Sequence, residues 1–138
     1  ELLESAKEFI KDVNVFFMLD TLENIVKGGR IGKATGHVAS LLSIKLIMKS
    51  DGHGVVDLAE KIRGSKKAFN RLVDIVGENG SNLEDKIIAV AHANCPEKAL
   101  EYINMIKEKY KFKDVLISTI GCTIGTYSGE GGLIIAFL

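Results

Sequence analysis

A chain of 138 residues is one domain's worth of polypeptide, long enough for a real hydrophobic core and too short for two. Its 46% hydrophobic and 26% charged content is ordinary for a globular domain. The 18 Lys and Arg cancel 18 Asp and Glu, so overall charge makes no case for a nucleic-acid or membrane partner.

Leu2, Leu3, Ala6, Phe9, Ile10 and Val13 recur at helical spacing and are followed by the apolar run Asn14 to Leu19, which is rich in strand formers. The spacing predicts a helix and then a buried strand. Asp20 with Glu23 reads as a capping box for a short helix that stops at Gly28-Gly29, one of which is expected to be its left-handed C-cap. A further helix is expected over Lys33 to Leu42, with Ala34, Val38, Leu41 and Leu42 inward, followed by a strand over Ser43 to Lys49. The Asp51-Gly52 pair predicts a hairpin into an antiparallel strand over Val55 to Arg63.

Helical spacing returns in Ser65 to Asn79, where Phe69, Leu72, Val73 and Val76 form the inward stripe and Ser65 is the expected cap. A strand over Asp85 to Ala93 and a helix from Pro96 to about Tyr110 come next, the proline suiting a first helical turn where no amide is needed. A strand over Lys113 to Thr119, a glycine-rich turn and a terminal strand in Gly132 to Leu138 complete the order. Alternating strands and helices with one hairpin predict an α/β domain, a mixed β-sheet flanked by helices.

Cys95 and Cys122 are the only cysteines and form no C-x-x-C pair. With no leader pattern and no apolar run of membrane-spanning length, a reducing, cytoplasmic compartment is expected. The chain opens at Glu1 inside a helical pattern, without an initiator methionine, and is therefore expected to begin partway through a longer protein.

The segment Lys27 to Thr35, KGGRIGKAT, invites comparison with a phosphate-binding loop. It departs from that motif twice: Lys27 stands where the first glycine belongs, and Ala34 follows Gly32-Lys33 where a metal-binding hydroxyl belongs. The turn Gly125 to Gly132 likewise lacks a full G-x-G-x-x-G, because Ile134 occupies the last glycine position. His37, His53 and His92 share no ligand spacing, no serine sits in a G-x-S-x-G elbow, and neither cysteine has an activating partner in sequence. These features support no metal, no cofactor and no catalysis by this segment.

Lys61, Arg63, Lys66, Lys67 and Arg71 form a basic run with no acidic residue among them. A solvated helix face accounts for such a run. Lys66 and Lys67, however, fall in the first helical turn, where the helix dipole disfavours a cation by about 0.3 to 1 kcal/mol, and an anionic ligand or partner surface would account for that cost.

Taken in order, KGGRIG, LLSIKLIM, KIRGSKKA, VAHANCPEKA and the terminal IGTYSGEGGLIIAF resemble the DegV family of bacterial fatty-acid-binding proteins over nearly the whole chain. The resemblance implies that residues 1–138 are the C-terminal domain of a two-domain protein whose N-terminal α/β domain is absent from this chain. It implies that a long-chain fatty acid lies between the domains. In that family the carboxyl end is held by hydroxyls of the N-terminal domain and a histidine in a terminal T-H-T-G-P-G motif.

Here that motif reads Thr126-Tyr127-Ser128-Gly129-Glu130-Gly131, so Tyr127 replaces the histidine, Ser128 a threonine and Glu130 the proline. A phenol can donate one hydrogen bond to a carboxylate but cannot supply a cationic imidazolium. By the resemblance, Arg30, Ile31, Tyr127, Ser128 and Gly129 line the lipid site. Arg63 matches an arginine that faces a separate ATP-dependent fatty-acid kinase, and charge clustering adds Lys66 and Lys67 to that face, with Lys33 a further cation.

The chain itself is then expected to be a carrier and not the phosphotransferase that makes acyl phosphate for phospholipid synthesis. Two other readings of the same residues are an enzyme acting on a small anion at the glycine-rich turns and a domain that docks a protein through its basic helix.

Overall fold

The computed structural model describes residues 1–30, 44–50 and 56–138. The predicted helix over Lys33 to Leu42, the hairpin turn, Ile31, Lys33, His37 and His53 lie outside the described residues.

The elements in chain order are α1 (Leu2–Asp12), β1 (Asn14–Met18), α2 (Glu23–Lys27), β2 (Ile44–Ser50), β3 (Val56–Arg63), α3 (Ser65–Asn79), a short 3-10 turn (Leu83–Asp85), β4 (Ile87–His92), α4 (Pro96–Lys109), β5 (Asp114–Thr119), α5 (Cys122–Ser128) and β6 (Leu133–Phe137). The strands form one six-stranded mixed sheet in the order β3-β2-β1-β6-β4-β5. Among the described residues only the β4–β5 pair is parallel, and it is joined by the crossover helix α4, as parallel neighbours require. The β2–β3 hairpin is antiparallel as its sequence predicts, with a register shift between Ile47 and Met48.

Alternation along the central strands divides the sheet into two faces. Phe16, Met18, Ile47, Ile88, Val90, Leu133, Ile135 and Phe137 are buried in one core cluster with α3 residues Phe69, Leu72, Val73 and Val76 and α4 residues Ala99, Tyr102, Ile103 and Ile106. The stripe predicted for α3 is therefore the one that packs, with Ala68 and Ile75 added at its flanks.

Three local expectations are corrected. Asp20 does not cap α2: Thr21 Oγ1 accepts the Glu23 amide at 3.2 Å instead, and the Asp20 carboxylate turns toward two lysines. Gly64, with φ +93, occupies the N-cap of α3 in place of Ser65, which is already its first helical residue. The segment read as a glycine-rich turn begins as a helix, α5. Thr126 Oγ1 there donates to the Cys122 carbonyl at 2.8 Å, and packing against α2 offsets the weak helix propensity of Gly125. Of the two candidate C-cap glycines of α2, Gly28 keeps helical dihedrals and Gly29, at φ +65, takes the left-handed position.

Helix α1 forms as the spacing predicts but buries none of its residues; Leu2, Leu3, Phe9 and Ile10 stand exposed. Beneath it lies a cavity of about 770 Å3 bordered by Phe9, Val13, Phe16, Ile75 and Arg71.

Candidate functional site

The register of the sheet gathers most of the residues singled out in the sequence at one end. Met18, at the end of β1, pairs with Leu133, at the start of β6, and Leu133 pairs with His92, at the end of β4. Asp20, the α5–β6 turn and the segment after β4 therefore share that end. Ile44 pairs with Arg63, so the close of β3 and the first turn of α3 lie there too, two strands from β1.

Arg30 and Tyr127 meet. The Arg30 guanidinium lies 5.0 Å from the centre of the Tyr127 ring and donates through Nη1 to the Gly28 carbonyl at 2.9 Å, which fixes its direction over the aromatic face. Gly28 makes room for the ring: a Cβ there would lie 2.5 Å from two Tyr127 ring carbons. Arginine over an aromatic face is attracted to the ring quadrupole by about 0.5–1 kcal/mol at an exposed site. The pair leaves a half-buried phenol beside an exposed cation.

Ser128 is buried, at 4% exposure, and its hydroxyl donates to the Gly129 carbonyl at 3.2 Å. Gly129 is buried against Asn24 and Thr21, so α2 and the turn enclose it. Arg63, Lys66 and Lys67 are all exposed. Arg71 separates from them: its guanidinium is taken by Glu60 at 2.6 Å and Glu78 at 2.5 Å, and it belongs to the cavity beneath α1. That cavity borders Asn14 and Lys49, at the opposite end of the sheet from Tyr127, and its guanidinium is already matched by two carboxylates. It is therefore a poor seat for an anionic head.

Sequence reading missed the groups that tie the glycine turn down. Lys98 Nζ donates to Asp20 Oδ1 at 2.7 Å and to the Gly131 carbonyl at 2.6 Å, while Lys45 Nζ reaches the same Asp20 oxygen at 3.1 Å. Burial pushes the Asp20 carboxyl up, but hydrogen bonds from Lys98 and Lys45, reinforced by their charges, outweigh it and hold the group below its usual range. The Gly131 amide donates to the Ala93 carbonyl at 2.8 Å, the Ala93 amide donates to the Gly132 carbonyl at 2.9 Å, and Asn94 Nδ2 donates to Glu130 at 2.8 Å. A carboxylate just past a buried strand is the one signal in sequence, and a capping pattern accounts for it equally well.

Burial pushes the Cys95 thiol up, which keeps it protonated and a weak nucleophile. His92 Nδ1 accepts the Cys95 amide at 3.3 Å and the ring is buried. Among the described residues no group of three or more His, Cys, Asp or Glu could hold a metal ion, and no helix is long and apolar enough to cross a membrane.

The model of the DegV family matches residues 1–138. Protein DegV of Bacillus subtilis is 35% identical over 133 residues, covering 96% of this chain and 47% of its own. A DegV family structure from Ruminococcus gnavus with vaccenic acid superposes with a TM-score of 0.86 at 34% identity, over 98% of this chain and 48% of that one. The Streptococcus pneumoniae protein named Fatty Acid Kinase (Fak) B3, loaded with linoleic acid, gives a TM-score of 0.85 at 28% identity, over 99% of this chain and 48% of that one. The chain thus spans about half the length of the relatives it matches.

Proposed function

Because the chain belongs to the DegV family, we propose that it binds a long-chain fatty acid in an interdomain cleft and presents it to a separate fatty-acid kinase in the cytoplasm. In this reading residues 1–138 are the C-terminal domain, the partner domain completes the cleft, and the chain carries no phosphotransfer chemistry of its own. The observation that carries the proposal is the likeness, at 34% identity, to a structure that holds vaccenic acid.

The physical chemistry agrees with such a ligand. Transferring an acyl chain out of water yields about 0.8 kcal/mol per CH2, so a long tail supplies a gross driving force on the order of 10 kcal/mol. Association and ligand ordering consume part of it. The carboxylate needs donors, because an unpaired buried charge costs several kcal/mol. We assign that end to the rim formed by Arg30, Tyr127, Ser128 and Gly129, with Ile31, the next residue in sequence, carried by the family resemblance alone. The name of the linoleate-loaded relative supports a link to a fatty-acid kinase, and we assign the exposed Arg63, Lys66 and Lys67 to the surface that faces it.

Native mass spectrometry of the full-length protein, purified from a bacterial host, is expected to show one fatty acid per protein. A spectrum with no copurified lipid, and none after addition of palmitate, would overturn the reading.

Gly28→Ala is a sharper probe of the rim. Gly28 has φ −73, which alanine adopts without backbone strain, so the cost in stability comes from the clash with the Tyr127 ring and should be about 1–3 kcal/mol. The added methyl must still displace the Tyr127 ring and with it the Arg30 stack. Palmitate binding by calorimetry should weaken roughly tenfold, the scale of one lost hydrogen bond to a charged group. Unchanged affinity would remove Tyr127 from the site.

A further inference from the structure

The α5–β6 turn is held by unusual means. Gly129 and Gly131 have φ +68 and +82, and neither carries a side chain that packing could grip. Their conformations are readily exchanged unless something outside the turn fixes them. Two backbone bonds with Ala93 hold the Gly131 amide and the Gly132 carbonyl, and Lys98, from α4, adds a side-chain constraint by joining the Gly131 carbonyl to the carboxylate of Asp20, whose same oxygen Lys45, from β2, anchors. Asp20 also packs against the Gly131 Cα so closely that a Cβ could not be accommodated. Both lysine side chains are largely covered, at 18% and 19% exposure, while the Asp20 side chain they share is 44% exposed. Lys98 and Asp20 thus meet at the Gly131 peptide of the turn that follows Tyr127, Ser128 and Gly129, and Lys45 holds Asp20 from the other side.

We propose that Asp20, Lys45 and Lys98 form a positioning cluster that aims the Tyr127–Gly129 segment at the charged head of the bound lipid, making recognition of an ionised head depend on residues outside the lipid-contacting rim. The proposal rests on the lipid-binding reading above. Hydrogen bonds to a carboxylate weaken steeply when donor angles drift, whereas contacts along an acyl tail are non-directional. Loosening the turn should therefore penalise an acid more than a neutral lipid with the same tail. Glu130, on the same turn, is held by Asn94 and is independent of the cluster.

The test compares palmitic acid with 1-hexadecanol by calorimetry on delipidated full-length protein, with thermal melting recorded for each variant. Lys98→Met is expected to weaken palmitic acid roughly tenfold, the scale of one hydrogen bond to a charged group, and to leave 1-hexadecanol within about twofold. Asp20→Asn should shift the same ratio in the same direction. Should Lys98→Met fail to fold, Lys45→Met gives the same comparison from the other side of Asp20. Equal weakening of both lipids would reduce the cluster to a purely structural element and overturn the proposal, as would no change in either. Binding of neither lipid by the wild-type protein would instead overturn the lipid reading and the proposal with it.

Discussion

Replacing Gly131 with alanine is expected to lower the stability of the domain by about 2–3 kcal/mol, the upper range for forcing a side chain into a disfavoured backbone region with a clash added. At φ +82 any L side chain is strained, and here the new methyl would also meet the Asp20 carboxylate. Relief requires Asp20 to move, which separates it from Lys98 and frees the Gly131 carbonyl at the same time. Gly125→Ala is the control. That glycine lies inside α5 with open space around it, so alanine should be neutral or stabilising by about 0.5–1 kcal/mol. Urea denaturation of the two variants measures the contrast; equal midpoints would show that the turn is not constrained as described.

Tyr102→Ala should cost more, about 3–5 kcal/mol, the range for deleting a large aromatic from a packed core. Tyr102 is fully buried between α3 and α4, meets Phe69 edge-on at 6.1 Å between ring centres, and donates its hydroxyl to the Leu72 carbonyl at 3.2 Å. Tyr102→Phe separates the two contributions. It keeps the ring and removes one hydrogen bond, for an expected loss of about 0.5–1.5 kcal/mol. A Phe variant as unstable as the Ala variant would mean that the hydroxyl, and not the ring, holds α3 to α4. Neither change touches Arg30 or Tyr127, so under the proposed function lipid binding by the folded fraction should persist.

These effects differ in how visible they are from sequence. The α3 stripe of Phe69, Leu72, Val73 and Val76 is legible because a helix repeats every 3.6 residues and the core must accept one face. The β2–β3 hairpin is legible from local turn chemistry. α5 was not, because glycines lower local helix propensity and only contact with α2 recovers it. Asp20 was assigned to a cap because the residues near it in sequence offered that role. Its actual partners, Lys45 and Lys98, lie on β2 and α4.

The candidate site divides the same way. Motif order brings Arg30, Tyr127, Ser128, Gly129 and Arg63 forward, charge clustering adds Lys66 and Lys67, and the family resemblance rests on the same ordered motifs. What order could not supply is that Gly28 is small so that the Tyr127 ring can lie against it, that Arg30 covers that ring, or that Arg71 leaves the basic run for Glu60 and Glu78.

The sequence alone determined the α/β class, most elements and the family, since periodicity, turn chemistry and motif order are properties of neighbouring residues. Only the tertiary structure decided which charges pair and which glycines are sterically required. Steric contacts act over a few ångströms and charge pairing over about 8–10 Å in physiological salt, and chain separation says little about either distance.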